Sequence, residues 1–328
     1  MRRLSLLARI GRTLSVVPLV YTLAFLAQSF VPNRNLGSFG YAPTFEGVRT
    51  SPDPMFARRD VSLLDSYVEW AVRLLTGEWG TVGGPDTRAA TALVGDALGF
   101  TAVYFLPALL VALLFGTGVQ LYAAASDRTL DAWTRPLAVL VVSVPAFLFA
   151  YLANTFVPVF LAETTQLTVI GTGYRPSLSP LAPRNLLPAA TPFAATLVVL
   201  FGIQSRYAGT ELAEYADRPF VKIARAKGAG PLRVAVHLLP HAAARLATLL
   251  LSEAFGAVLV AGYVIEWATS TPGIFALTIE AVASRRPGLV FPVVLLPVVV
   301  VVTVNLLQEL YYLLFDPRVD AGDGETSG

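Results

Sequence analysis

The chain has 328 residues, 55% of them apolar and only 14% charged, with a mean hydropathy of +0.63. A soluble domain of this length carries far more charge, so the composition excludes an ordinary water-soluble globule and points to a bilayer as solvent. A net charge of +2 with no basic tail or stripe leaves no nucleic-acid footprint, and the absence of cysteine removes disulfides, thiolate chemistry and cysteine metal sites.

Taken in chain order, six apolar runs are long enough to cross a hydrocarbon core: about 13–31, 98–124, 136–161, 186–206, 246–268 and 290–315. The first follows Arg2, Arg3, Arg9 and Arg12 but is succeeded by Pro32, Asn33 and Arg34 instead of a small-residue cleavage pattern, so it reads as a retained helix. Backbone groups in lipid must satisfy one another, which makes each run a helix, the Val-rich last one included. Prolines 107, 145, 158, 292 and 297 are expected to kink these helices locally. The reading is an all-α integral membrane protein with six transmembrane helices.

An even number of spans puts both termini on one side. With the N-terminus inside, that side collects Arg2, Arg3, Arg9 and Arg12, then Arg128 and Arg135, the cluster between Arg206 and Arg245, and Arg318. Lysine and arginine near the membrane favour the cytoplasm, so an N-in, C-in topology is expected.

The outer loop, about 32–92, turns amphipathic from Val61 to Leu75, where Leu64, Tyr67, Val68, Ala71, Leu74 and Leu75 recur at helical spacing. Asp60 is the expected N-cap and Gly77 the expected stop, giving a short helix against the membrane or the bundle. The polar tail, 319–328, reads as disordered. The organisation is therefore a cytoplasmic start and first helix (1–31), an extracytoplasmic loop with an amphipathic helix (32–92), a five-helix core (93–318) and the tail.

Within that core the loop 207–245 differs from every other: it is long, basic and patterned for structure. Pro219 suits a first helical position, Phe220 to Lys227 reads as a helix, Gly228 suits the left-handed cap and Pro231 suits the start of a second short helix. Such an elbow projects a rigid positive knuckle, with Ala224 and Ala226 small enough for another protein to approach closely. The plainer alternative is a basic loop that only sets topology or touches anionic lipid.

Ala224-Arg225-Ala226-Lys227-Gly228, followed by His237-Leu238-Leu239-Pro240-His241-Ala242, resembles the signature loop of binding-protein-dependent ABC importer permeases, in their dipeptide and oligopeptide branch. Where the broader signature begins Glu-Ala-Ala, this chain has Lys222, Ile223 and Ala224. The resemblance extends in order along the chain. Gly77-Glu78-Trp79-Gly80 is similar to a Gly-acidic-x-Gly element of the family, and Val144-Pro145-Ala146-Phe147 to its Ser-Ile-Pro-x-Phe stretch. Glu266, Ser270, Pro272 and Gly273 resemble its Glu-x-x-x-Ser-x-Pro-Gly turn, and Asp316-Pro317-Arg318 its usual ending.

The resemblance implies the six-helix fold of type I ABC importer permeases. It also implies a cytoplasmic coupling helix that docks on an ATPase through Lys222, Ala224, Arg225, Ala226, Lys227, Gly228, Gly230 and Pro231. The implied partners are a second homologous permease, two ATP-binding subunits and an extracytoplasmic solute-binding protein, and the cargo a dipeptide or oligopeptide. No Gly-x-x-x-x-Gly-Lys-Ser/Thr sequence occurs in the chain, so ATP and magnesium are expected on the partners, with no cofactor and no bond-changing chemistry on this subunit.

Polar residues inside spans are functional candidates: Gln204, Ser252, Glu253, Asn305, Gln308 and Glu309, of which Glu253 is the candidate for the pathway. His237 and His241 stand four apart but have Pro240 between them and no third ligand, so no metal site is expected. The competing class is a secondary, ion-coupled transporter, which calls for paired broken helices or mid-membrane acids in repeated form.

Overall fold

The computed structural model describes residues 9–30, 62–82, 88–126, 128–165, 173–216, 218–249, 255–284 and 287–315. Expectations placed on Asp60, on most of the outer loop, on Glu253, on Asp316-Pro317-Arg318 and on the tail therefore lie outside the described residues.

The described chain is mostly helical, with one small antiparallel strand pair. In order it runs α1 (Val16–Phe30), α2 (Leu63–Thr76), β1 (Thr81–Val82), β2 (Arg88–Ala89), α3 (Ala90–Ala125), α4 (Arg128–Ser143), α5 (Ala146–Thr165) and α6 (Pro183–Ala216). It continues with α7 (Pro219–Ala226), α8 (Pro231–Leu249), α9 (Phe255–Ala268), α10 (Ile274–Ser284) and α11 (Pro287–Phe315). The antiparallel pair sets Thr81 opposite Ala89 and Val82 opposite Arg88.

Among the described residues four helices are long and apolar enough to cross a membrane: Arg9–Ser29, Ala90–Ala125, Pro183–Tyr215 and Gly288–Leu310. A fifth span is possible only by joining α4 and α5, which meet at a 91° bend. This corrects the expectation of one kinked helix over 136–161. Pro145 has no N–H to give and pushes Val144 out of the helical region, so the helix stops and restarts instead of bending. Pro107 and Pro158, by contrast, lie inside continuous helices. The expected span 246–268 includes residues 250–254, which are not described, and its described parts are the last four residues of α8 and the 14-residue α9.

The chain divides into two compact units, residues 1–33 with 294–328, and residues 34–293. In the first, Tyr21 and Phe25 are buried, their rings 6.4 Å apart. The second is organised around α3 and α6, which pack along most of their length and are flanked by α4, α5 and α8. Small residues make that closeness possible, as expected where hydrophobicity alone does not drive helices together. A β-carbon on Gly116 would stand 3.0 Å from the Gln204 side chain, and one on Gly209 would stand 3.0 Å from Gln120 Oε1. Gln204 Nε2 donates to Thr117 Oγ1 across the interface at 2.7 Å. Gln204, one of the polar functional candidates from sequence, is thus a fully buried helix-packing residue.

In the same unit, α2 is capped by Ser62, whose hydroxyl accepts from Asp65 N–H at 3.1 Å, and it ends at Gly77 in the left-handed conformation (φ +76°). Its Trp70 is buried against Phe291, ring centroids 5.7 Å apart, whereas Leu64, Val68 and Leu75 are exposed. The Gly77–Gly80 element then passes so close to the start of α11 that a β-carbon on Gly288 would collide with the Trp79 carbonyl.

Candidate functional site

Two clusters of the sequence-selected residues fall at opposite ends of the α3–α6 pair. At the C-terminal ends of both helices sits the basic elbow. Pro219 begins α7, Gly228 adopts φ +78°, and Pro231 begins α8, which at 19 residues is longer than the short helix expected. The Gly228 N–H donates to Arg225 O at 2.9 Å and the Ala229 N–H to Ala224 O at 3.1 Å, so the helix end is closed by a glycine that tolerates the left-handed turn.

Helical spacing divides α7 into two faces. Phe220, Val221 and Ala224 pack into an apolar cluster with Leu121, Leu212 and Leu238, joining the elbow to α3, α6 and α8. Lys222, Ile223, Ala226 and Lys227 point outward, followed by exposed Gly228, Gly230 and Pro231. Two residues of the expected partner-facing set also contact the bundle. Ala224 packs inward, and Arg225 turns back so that Nη2 donates to Ala124 O at 2.8 Å. That carbonyl belongs to the last turn of α3, where a cation complements both the unpaired oxygen and the negative helix end. His237 is exposed on α8, and the His241 side chain lies outside the described set.

The other cluster is built around Glu266. Its side chain is fully buried near the end of α9 and caps the start of α10. Oε1 accepts from Thr101 Oγ1 at 2.6 Å and from Tyr104 OH at 2.9 Å, and Oε2 accepts from the Ala276 N–H at 2.9 Å. Thr101 Oγ1 in turn accepts from the Ile274 N–H at 2.9 Å. Two free N–H groups at the α10 start thereby gain partners, and a carboxylate occupies a helix N-terminus, where it is favoured. Gly273 is required: a β-carbon there would overlap the Glu266 carboxylate. Pro272 is buried, and Ser270 is held at φ +53°, a strained conformation for a residue with a side chain.

Residues that sequence reasoning did not select complete this end. Asn185, buried at the start of α6, ties the loop before it: Oδ1 accepts from the Arg175 N–H at 2.8 Å, and Nδ2 donates to the carbonyls of Arg175 (3.1 Å), Leu178 (3.4 Å) and Ser179 (3.0 Å). Thr271 Oγ1 donates to the Tyr174 hydroxyl at 3.4 Å, joining that loop to the Glu266 turn. Tyr174 stacks edge-on to Phe100 at 5.6 Å, and burial pushes its hydroxyl above its ordinary range, so it stays neutral. Thr101 and Tyr104, one turn apart in an apolar span, carried a usable signal: two polar groups on one helix face require a partner.

Several helices long enough to cross a membrane, with a basic elbow at one end of the central pair and a capped turn at the other, mark a multi-pass membrane protein. Residues 112–321 match the family described as binding-protein-dependent transport system inner membrane component, and the chain belongs to that family. It is thus a transporter permease subunit. A probable peptide ABC transporter permease from Sinorhizobium fredii is 25% identical over 330 residues, covering 96% of this chain and 98% of that protein. A putative peptide transport system permease from Brucella abortus (strain 2308) is 26% identical over 328 residues, with 96% and 98% covered. The dipeptide transport system permease of Bacillus subtilis is 23% identical over 311 residues, with 93% and 94% covered.

Proposed function

We propose that this chain is one of two homologous membrane-spanning subunits of an ATP-driven peptide importer, with six spans and both termini in the cytoplasm. Two ATP-binding subunits carrying ATP and magnesium would sit beneath it, and an extracytoplasmic binding protein would deliver the peptide. Cargo class rests on the peptide permeases named among its relatives.

The observation that carries the reading is the two-faced elbow. Its outer face offers Lys222, Ile223, Ala226 and Lys227 to a partner, while its inner face is fastened to α3 by Arg225 and to α6 and α8 by apolar packing. A push on such an element moves three helices at once, which is what alternating access by rigid-body change requires. ATP binding supplies the bias, because each ligand favours one of two states.

Gly228→Pro tests it. Proline cannot adopt φ +78° and has no N–H for Arg225 O, so the elbow loses its closing turn. Wild-type protein purified in mild detergent should bring ATP-binding subunits with it, and the variant should lose them or hydrolyse ATP without uptake. Wild-type preparations that never contain a nucleotide-binding subunit would transfer the chain to the ion-coupled class.

A further inference from the structure

Between α5, the start of α6, Tyr174 and the Glu266 turn lies a half-open cleft of about 230 Å³. It contains Asn154, Thr191, Thr269 and Ser270, and among the described residues no charged side chain lines it. Thr269 is engaged within its own turn, donating to Ile265 O at 2.7 Å and lying 2.8 Å from the Thr271 hydroxyl. No hydrogen bond to another described residue occupies the side chains of Asn154, Thr191 or Ser270.

We propose that this cleft is a subsite for a peptide group of the passing cargo, one neutral N–H and C=O unit with its neighbouring side chain. The proposal rests on the reading of the chain as a peptide-importer permease. Three features support it. First, Asn154 is an exposed amide in the middle of a helix that otherwise reads Ala-Phe-Leu-Phe-Ala-Tyr-Leu-Ala before it and Thr-Phe-Val-Pro after it. An amide turned to hydrocarbon would lack every partner it has in water, so polar groups in spans face a water-filled path or protein.

Second, the groups match the ligand. A carboxamide both donates and accepts, and hydroxyls do either, which suits a neutral peptide group, whereas a charged terminus would need an opposite charge that the cleft does not hold. The volume is below the roughly 300–1,000 Å³ of a pocket for a complete small ligand, so it takes a segment of a longer molecule. Selection by backbone instead of side chain would let cargoes of different sequence pass.

Third, the walls are fixed before any ligand arrives. Asn185 holds the loop that carries Tyr174, and Glu266 and Gly273 hold the turn that presents Ser270 at φ +53°. Strain kept in place by surrounding bonds is the arrangement expected of a binding residue, and prepositioned groups lose little entropy on contact.

The test uses the full complex, with binding protein and ATP-binding subunits, in proteoliposomes. Uptake of trialanine is compared with uptake of its analogue N-methylated at the central amide, for wild type, Asn154→Leu and Thr191→Val. Asn154→Leu should lower trialanine uptake about tenfold, Thr191→Val by a few-fold, and neither should further lower uptake of the methylated peptide. Binding-protein-stimulated ATP hydrolysis should persist in both. Equal losses for the two peptides, or no loss in an active complex, overturn the subsite and leave the importer reading standing. Failure of the variants to retain the other subunits also overturns it, since the cleft would then be packed against protein. A wild-type complex that moves neither peptide overturns the importer reading itself.

Discussion

The two ends of the α3–α6 pair are fastened by different physics. At the elbow, an apolar cluster and one guanidinium-to-carbonyl bond join α7 to its neighbours, and the polar residues point away. At the opposite end, buried polar groups hold one another: Glu266 with Thr101, Tyr104 and Ala276, and Asn185 with three residues of the loop before it. Apolar packing is tolerant of small displacements, because dispersion and area burial vary smoothly with distance. Buried hydrogen bonds are directional and expensive to leave unmade. One end is therefore suited to transmit a movement and the other to keep its shape while the rest moves.

That contrast can be broken, and the strongest test is Glu266→Ala. The truncation leaves two hydroxyls and a backbone N–H without partners in a space that water does not reach, costing about 3–5 kcal/mol. Melting of the purified protein, followed by intrinsic fluorescence, should drop sharply or the protein should fail to accumulate; an unchanged melting curve would show the turn is not held by this carboxylate. Asn185→Ala should cost about 1–3 kcal/mol, locally, with faster proteolytic cleavage near residues 175–182 while the global melt moves little. Arg225→Ala should have the smallest effect on stability, since its guanidinium is exposed to water apart from one bond. In the proposed importer complex, uptake per ATP hydrolysed should nevertheless fall several-fold with the ATP-binding subunits still attached. If Arg225→Ala instead releases those subunits, the arginine belongs to the outer face and not to the tie.

The sequence made the elbow legible and the opposite end much less so, for a physical reason. Pro219, Gly228 and Pro231 act on their own backbone, so the helix boundaries and the left-handed turn could be read locally. Gly77 is the same case, and Ser62 shows the limit: it caps α2 in the structure, whereas Asp60, two residues earlier, was the expected cap. Glu266 was selected only through family resemblance, because the bond that explains it joins residues 165 apart. No periodicity reports such a contact. Pro145 was legible as a disturbance but not as a 91° change of direction, which depends on what α4 and α5 each pack against. The contacts of Ala224 with the apolar cluster and of Arg225 with Ala124 O were not legible either, since a short helix does not reveal from composition alone which side finds the bundle.

The lengths of the two central helices set a distance. At about 1.5 Å per residue, the 36 residues of α3 and the 34 of α6 run to roughly 50 Å, well beyond a hydrocarbon core of about 30 Å. On α6 the apolar run closes at Arg206, yet the helix continues to Ala216, about 15 Å further. The headgroup layer occupies only about 5–8 Å on each side. If the apolar run of α6 marks the hydrocarbon core, the joint of the proposed importer would stand clear of the lipid surface on a stiff pedestal, within reach of a water-soluble partner that need not indent the membrane or strip its own hydration against phosphate.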